Sequence, residues 1–383
     1  MSVISLLKSA RIDFYIKKYR SQPLENNKII LWSNNLKSYG CNPKYITEYL
    51  IKNYPGKFNI VWVFNEETEI PIDLPAGVRA VRYFSLEYLK ELHTAKFIIC
   101  NARISPALMF KKRKGQFYIQ TWHSSIRLKK IEGDANLPKD YVDLAKNDSG
   151  NIDLIISGCK FSSDTIKRAF WYDGKILECG TPRCDMLFDK SDSIRKKVFD
   201  FYGIDESKKT VLYAPTFRKD YSKNDYGLDY KMLINALEKR FGGSFVLLVR
   251  FHPNVTASID AIYSDAIINA TKYPDMQELV TASDVLVTDY SSCMFDAVIA
   301  DKPCFLFTKD LDEYISSERA LYFSLEELPF TTSKSNHKLS ENILSYKDEN
   351  KDIYKEFLNK VGSFENGTAC RQIAEIIISE AGK

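Results

Sequence analysis

Short runs of β-branched and aromatic residues alternate with helical stretches along most of this chain, and that alternation restricts the fold more than any other feature. The runs are Lys28 to Trp32, Phe58 to Phe64, Arg79 to Phe84, Lys96 to Cys100, Gln116 to Trp122, Ile152 to Ser157 and Lys175 to Cys179. Strands alternating with helices predict a parallel sheet covered by helices on both faces. The series breaks over the charge-rich stretch Ser191 to Lys209. It resumes at Thr210 to Thr216, Phe245 to Phe251, Val285 to Thr288 and Pro303 to Phe307. A chain of 383 residues is longer than one hydrophobic core usually organises. The expected architecture is therefore α/β, with two Rossmann-like doubly wound domains at residues 26–190 and 191–383 behind a helical segment at 1–25. The last helical stretch, Cys370 to Glu380, is left free to pack back on either.

Composition excludes several classes. Hydrophobic residues at 45% and charged residues at 27% describe a folded domain rather than a disordered chain. No run approaches the roughly 18 to 20 apolar residues of a membrane span, and Lys8, Arg11 and Asp13 interrupt the early apolar stretch, which argues against a signal peptide. The eight cysteines contain no Cys-x-x-Cys pair and read as reduced packing residues. Charge is local. Met1 to Arg20 carries five basic residues against one acid, which equals the net +4 of the whole chain. Its Val3, Leu7, Ala10 and Phe14 fall on one side of a helix, the pattern of an amphipathic segment lying on an anionic bilayer surface. Arg103 to Lys130 holds eight basic residues and no acid. Nucleic acid is not expected as a partner.

In open sheets of this kind, ligands sit outside the carboxyl ends of the strands, so those loops are the ones to read. Val285 to Val287 runs into Thr288-Asp289-Tyr290-Ser291-Ser292 and then a helical stretch. Ser291 and Ser292 at a helix start offer hydroxyls and free N–H groups to phosphate oxygens; capping of the helix is the alternative. A second strand ends in Arg250-Phe251-His252-Pro253, where alternation sends Arg250 and His252 to the same side. An arginine grips a diphosphate and a histidine stabilises a departing phosphate. A third strand ends at Thr216 and Arg218, another hydroxyl and cation. Together Thr216, Arg218, Arg250, His252, Pro253, Asp289, Ser291 and Ser292 form a candidate diphosphate site.

In the N-terminal half one strand leads into Trp122-His123-Ser124-Ser125, followed by Arg127, Lys129 and Lys130. His123 at a strand end is a candidate general base, and Trp122, Ser124, Arg127 and Lys129 are candidate acceptor or phosphate contacts. His93 and His337 read as packing or surface residues. The Asp310-Leu311-Asp312 segment has no neighbouring ligand cluster and reads as a solvated loop, so neither metal nor cofactor is expected.

These motifs occur in an order, from Trp122-His123 through Gly180-Thr181-Pro182-Arg183-Cys184-Asp185, Ala214-Pro215-Thr216-Phe217-Arg218 and Arg250-Phe251-His252-Pro253 to Thr288-Asp289-Tyr290-Ser291-Ser292, that resembles the CDP-glycerol glycerophosphotransferase family of teichoic acid synthesis. The resemblance covers roughly residues 116–315. It implies a GT-B-like pair of domains and peripheral, monotopic attachment to the cytoplasmic face of the membrane. It also implies transfer of glycerol phosphate, or ribitol phosphate, from CDP-glycerol or CDP-ribitol to a lipid-linked, polyprenyl diphosphate glycan acceptor with release of CMP. Within it, His123 and His252 take the places of the essential histidine pair. The chain departs from the family pattern at Ser124-Ser125-Ile126, where Gly-Thr-Pro is usual, at Cys184, where Asn is usual, at Ala320, where the Arg-Gly-x-Tyr segment has its glycine, and at Phe330, where Pro-Gly is usual. A nucleotide-sugar glycosyltransferase and a non-catalytic membrane-bound binding subunit share the fold and are the rival expectations.

Overall fold

The computed structural model describes residues 3–72, 74–103, 111–216, 218, 226–251, 264–317, 320–347 and 349–383, with side chains in the first helix from residue 11 onward. The chain divides into two compact units, each built on one parallel sheet.

In the first unit, helix α1 (Val3–Arg20) precedes β1 (Glu25–Trp32), α2 (Cys41–Asn53), β2 (Asn59–Phe64), β3 (Val78–Arg82), α3 (Leu86–Thr94) and β4 (Ala95–Cys100). Then follow β5 (Phe117–Gln120), α4 (Lys139–Ser149), β6 (Leu154–Ser157), α5 (Lys160–Ala169) and β7 (Lys175–Glu178). The strands lie in the order β3-β2-β1-β4-β5-β6-β7, all pairs parallel. Ile29 to Leu31, Val61 to Phe64 and Phe97 to Cys100 are fully buried, as strands covered on both faces must be.

The second unit contains α6 (Ser193–Tyr202), β8 (Lys209–Ala214), α7 (Tyr230–Phe241), β9 (Phe245–Val249), β10 (Ile267–Asn269), α8 (Met276–Ala282), β11 (Val285–Thr288), α9 (Cys293–Ile299), β12 (Cys304–Phe307), α10 (Leu311–Ser317), β13 (Thr331–Ser333), α11 (Asn336–Leu344) and α12 (Asn350–Val361). Its sheet runs β10-β9-β8-β11-β12-β13, again all parallel. Every strand read from the sequence is present, trimmed or extended by up to three residues. The edge strands β10 and β13, three residues each, carry too little pattern to be read. The charge-rich stretch after residue 190 forms α6 rather than an open linker.

The units are not the two halves of the chain. The first comprises residues 1–125, 136–185 and 364–383, and the second 126–135 and 186–363. The expected border at 190/191 is thus corrected twice. The final helix, α13 (Ala369–Ala381), buries Ala369, Cys370, Ile373, Ala374 and Ile377, the i, i+4, i+8 face, against Ile29, Ile46, Trp62 and Ile99 of the first unit. Asp185 secures its start by accepting from the backbone N–H groups of Ala369 (3.0 Å) and Cys370 (2.7 Å). The segment 126–135 pairs instead with residues of the second unit: Lys130 N–H donates to Ala320 O at 2.8 Å and Tyr322 N–H to Leu128 O at 2.7 Å.

Helix α1 packs along α3 in the first unit. The one-sided stripe expected of it is half of the pattern. Among the side chains described from residue 11 onward, Ile12, Tyr15, Ile16 and Tyr19 fall on the far side of the helix from Phe14, so apolar residues line two sides. Phe14 is exposed beside Arg11, Lys17 and Lys18. Among the described residues, no helix is long and apolar enough to cross a membrane. All eight cysteines are free and seven are buried.

Because α13 completes the core of the first unit, Ile373→Ala should cost about 2–5 kcal/mol of unfolding free energy, measurable by urea denaturation followed through a first-unit tryptophan.

Candidate functional site

Strand order reverses direction between β1 and β4 in the first unit and between β8 and β11 in the second. The adjoining crossovers leave on opposite faces there, opening a crevice at the carboxyl edge. Most of the described residues singled out in the sequence lie in loops at these carboxyl edges.

At the second-unit crevice, Asp289 follows β11 and Thr216 follows β8. The Asp289 carboxylate accepts from the Thr216 backbone N–H (2.8 Å), the Thr216 hydroxyl and the Tyr290 N–H. Arg218 Nη2 donates to Asp289 Oδ2 at 2.8 Å. Its Nε donates to Asp310 Oδ2 at 2.7 Å, and Nη1 to Thr216 O at 2.6 Å. Tyr290 and Tyr314 stack 4.0 Å apart, and both lie about the Arg218 guanidinium, as does Tyr226. Burial opposes the Arg218 charge, but Asp310 and Asp289 outweigh it and hold the guanidinium protonated well beyond its usual range. Two expectations change here. Arg218 is not an open cation waiting for a diphosphate, because two carboxylates already compensate it. Asp310 is not part of a solvated loop, because it holds Arg218 and accepts from the Tyr290 hydroxyl at 3.1 Å. The cluster frames a cavity of about 590 Å³ lined by Tyr213, Tyr226, Lys309, Asp312 and Glu313 as well.

Arg250 has a different environment. It directly follows β9, and its Nη1 donates to Tyr273 O at 2.8 Å. Burial pulls its pKa down, with nearby Asp275 only partly restoring it. Among the described residues no carboxylate forms an ion pair with it, so its charge is far less compensated than that of Arg218. Cys293, the first residue of α9, is close enough to feel that charge. Just before it, Ser292 makes no side-chain capping bond, and Ser291 Oγ accepts only a long 3.4 Å bond from Cys293 N–H. The capping alternative for Ser292 is therefore absent. Two half-buried serines stand at this helix start, with Arg250 within electrostatic reach of Cys293, and a cation near helix N–H groups is suited to an anion. Phe251 is buried; His252 and Pro253 lie outside the described residues.

In the first unit, the loop after β5 is pinned into an unusual shape. Trp122 adopts a left-handed φ of 49°, rare for a bulky residue. The Gln120 side chain accepts from its N–H at 3.0 Å. Asn42, fully buried at the start of α2, donates to Thr121 O (3.1 Å) and Trp122 O (3.0 Å) and accepts from Arg183 N–H (3.0 Å). The Trp122 ring packs edge-on to Phe170. This turn leaves Ser124 and Ser125 buried but sends the His123 imidazole outward, stacked on Trp122 at 4.7 Å. His123 Nδ1 lies 3.2 Å from Asn101 O, which follows β4 at the switch point. A carbonyl only accepts, so a neutral ring bonded to it carries its proton on Nδ1. That is the tautomer a general base needs.

Arg127 and Lys129, grouped with His123 in the sequence, fall in the second unit. Arg127 is buried, and Lys129 Nζ stands over the Tyr314 ring at 5.2 Å, beside the Arg218 cluster. Ser124 is buried rather than offered to a ligand. Asn42 and Asn101, which hold the His123 loop, carry little signal in the sequence beyond the Gly40-Cys41-Asn42-Pro43 helix start and a polar residue after an apolar strand. Among the described residues no group of three or more acidic, histidine or cysteine side chains is placed to hold a metal.

Two doubly wound sheets with polar groups at their switch points define a GT-B-like protein. The chain belongs to the CDP-glycerol:poly(glycerophosphate) glycerophosphotransferase family, whose sequence profile matches residues 14–379. It is 32% identical over 371 residues to the teichoic acid poly(glycerol phosphate) polymerase of Staphylococcus epidermidis, covering 91% of this chain and 50% of that protein. To the teichoic acid glycerol-phosphate transferase of Staphylococcus aureus it is 31% identical, covering 94% and 95%. The wall teichoic acid polymerase TagF superposes with a TM-score of 0.83 at 26% identity over 100% of this chain and 99% of that one. The chain thus spans about half the length of the curated polymerases of S. epidermidis and Bacillus subtilis that it matches.

Asp289→Ala should strip Arg218 of one carboxylate and leave Thr216 and Tyr290 without their acceptor. The expected loss is about 3–5 kcal/mol, read by chemical denaturation.

Proposed function

We propose that the chain transfers glycerol phosphate from CDP-glycerol to a lipid-linked acceptor in teichoic acid or related cell-surface polymer synthesis, releasing CMP. The single observation that supports this reading is the exposed His123 imidazole at the loop after β5, with Nδ1 3.2 Å from the Asn101 carbonyl, in a chain of this family. His123 Nε2 takes the proton of an acceptor hydroxyl. The resulting oxygen attacks the donor phosphorus that bears the glycerol, the bond from that phosphorus to the CMP oxygen breaks, and CMP leaves with the electron pair. Arg250, Ser291 and Ser292, with His252, hold the diphosphate and stabilise the charge that builds on the leaving phosphate. Holding donor and acceptor together supplies the proximity such a displacement needs. Relatives named as glycerol-phosphate and ribitol-phosphate enzymes both match, and the glycerol-phosphate polymerases of S. epidermidis and B. subtilis share more identity than the ribitol-phosphate polymerase of Bacillus spizizenii, 32% and 29% against 24%. That ordering favours glycerol.

We further place the protein at the cytoplasmic face of the membrane, attached peripherally through α1. Exposed Phe14 beside Arg11, Lys17 and Lys18 offers an aromatic and three cations to anionic headgroups.

Incubation with CDP-glycerol, CDP-ribitol and UDP-sugars should release CMP from the first. Release of UDP without CMP would refute the assignment. His123→Ala should lower kcat by about 10²–10⁴-fold while CDP-glycerol still binds. Arg250→Ala should weaken CDP-glycerol binding about tenfold or more, measured by calorimetry. Replacing Arg11, Lys17 and Lys18 by Gln should abolish sedimentation with phosphatidylglycerol vesicles at low salt, and unchanged sedimentation would reject the membrane assignment.

A further inference from the structure

At the first-unit crevice the loop after β1 meets the loop after β4, and two asparagines join them. Asn34 N–H donates to Asn101 Oδ1 at 2.8 Å, and Asn101 Nδ2 donates back to Asn34 Oδ1 at 3.0 Å. Asn101 is buried, and its backbone carbonyl is the one that lies 3.2 Å from His123 Nδ1. Asn34 is itself held: its Nδ2 donates to Ser38 Oγ at 2.8 Å, and Ser33 Oγ donates to Ser38 O at 2.7 Å.

The backbone that presents Asn34 is strained. Asn34, Asn35 and Leu36 have φ of 48°, 55° and 69°, three successive residues in the left-handed region. Asn enters that region as a single residue, but chirality makes a run of them costly. Leu36 N–H donates to Ser33 O at 2.8 Å, and Leu36 O accepts from Asn65 N–H at 3.0 Å, so the turn is pinned on both sides. Asn34 and Asn35 are exposed, so burial of their side chains does not account for the strain. What the turn secures is the pair of bonds to Asn101. Strain of this kind persists where the surroundings over-determine it, and it clusters at functional sites.

We propose that Asn34 is a positioning residue for the transfer reaction: by holding Asn101 it sets the carbonyl that fixes the His123 ring and its tautomer, a role that rests on His123 being the base. A carbonyl at Nδ1 keeps the proton of the neutral ring there and leaves Nε2 to accept one. Displacement of that carbonyl lets the proton pass to Nε2, the atom that has to take the proton of the acceptor hydroxyl.

The test uses the full chain as wild type, Asn34→Gly, Asn34→Asp and Ser38→Ala. Glycine accepts the left-handed φ but lacks Oδ1, whereas aspartate keeps an acceptor for Asn101 Nδ2. Histidine rings labelled with ¹⁵N report the tautomer, with the His123 signals assigned by His123→Gln. Neutral His123 should carry its proton on Nδ1 in wild type and Asn34→Asp, and shift towards Nε2 in Asn34→Gly. CMP release by Asn34→Gly should fall about 10-fold or more in kcat at unchanged affinity for CDP-glycerol, with Asn34→Asp within about threefold of wild type. A wild-type tautomer in Asn34→Gly would overturn the proposal, as would a wild-type kcat or an equal loss in Asn34→Asp. If wild type releases no CMP from CDP-glycerol, the functional reading fails instead, and the tautomer comparison still decides whether Asn34 positions the ring. If Asn34→Gly does not fold, Ser38→Ala, which removes the bond that holds the Asn34 amide, carries the test; the same shift is expected, and a wild-type tautomer again overturns the proposal.

Discussion

A parallel strand cannot return to its neighbour through a tight turn, so each strand here is followed by a crossover that covers a face of the sheet and brings the chain back to the same edge. Everything of interest follows from that constraint. All strands of a unit end at one rim, so the loops after β5, β6 and β7, or after β8, β9 and β11, converge although they are far apart in sequence. Reversal of strand order at β1/β4 and β8/β11 then parts the crossovers and leaves room for a ligand.

The polar groups at the two rims do different kinds of work. Arg218, Asp289 and Asp310 form a mutually compensated cluster, stacked with tyrosines, that shapes a cavity without offering free charge. Among the described residues Arg250 bonds a carbonyl and forms no ion pair, with Asp275 acting on it only at a distance, so it is less compensated than Arg218. In the first unit, most of the apparatus serves one ring. Gln120, Asn42 and Asn101 direct hydrogen bonds at the backbone or imidazole of a two-residue stretch, holding Trp122 in a strained conformation so that His123 faces outward. Buried amides are costly to leave unsatisfied, and such bonds resist the relaxation that strain would otherwise drive.

Motif order along a sequence is a poor guide to which groups share a unit. The Gly180 to Asp185 stretch is one of the motifs in the family order, yet Asp185 caps α13 and Thr181 bonds Glu365, so much of that motif ties the C-terminal segment down. Likewise Arg127 and Lys129 follow His123 by a few residues but belong to the second unit, where Lys129 pairs with Leu321 and stands over the Tyr314 ring. Each is a long-range contact chosen by packing, to which local periodicity is blind.

The sequence by itself determined the parallel α/β architecture, almost every long strand, and the loops that carry His123, Arg250, Thr216, Asp289 and the Ser291-Ser292 pair. Those features rest on local pattern: buried strands are continuously apolar, and functional polar residues follow them. Tertiary structure alone decided that Arg218 is paired with two carboxylates while, among the described residues, Arg250 is paired with none, that α13 belongs to the first unit, and that Asn42 and Asn101 hold the loop that carries His123. The reason is physical. The charge a side chain has to offer depends on the partners that surround it, and those partners lie at sequence separations of 79 for Asn42–Thr121, 71 for Arg218–Asp289 and 184 for Glu365–Thr181.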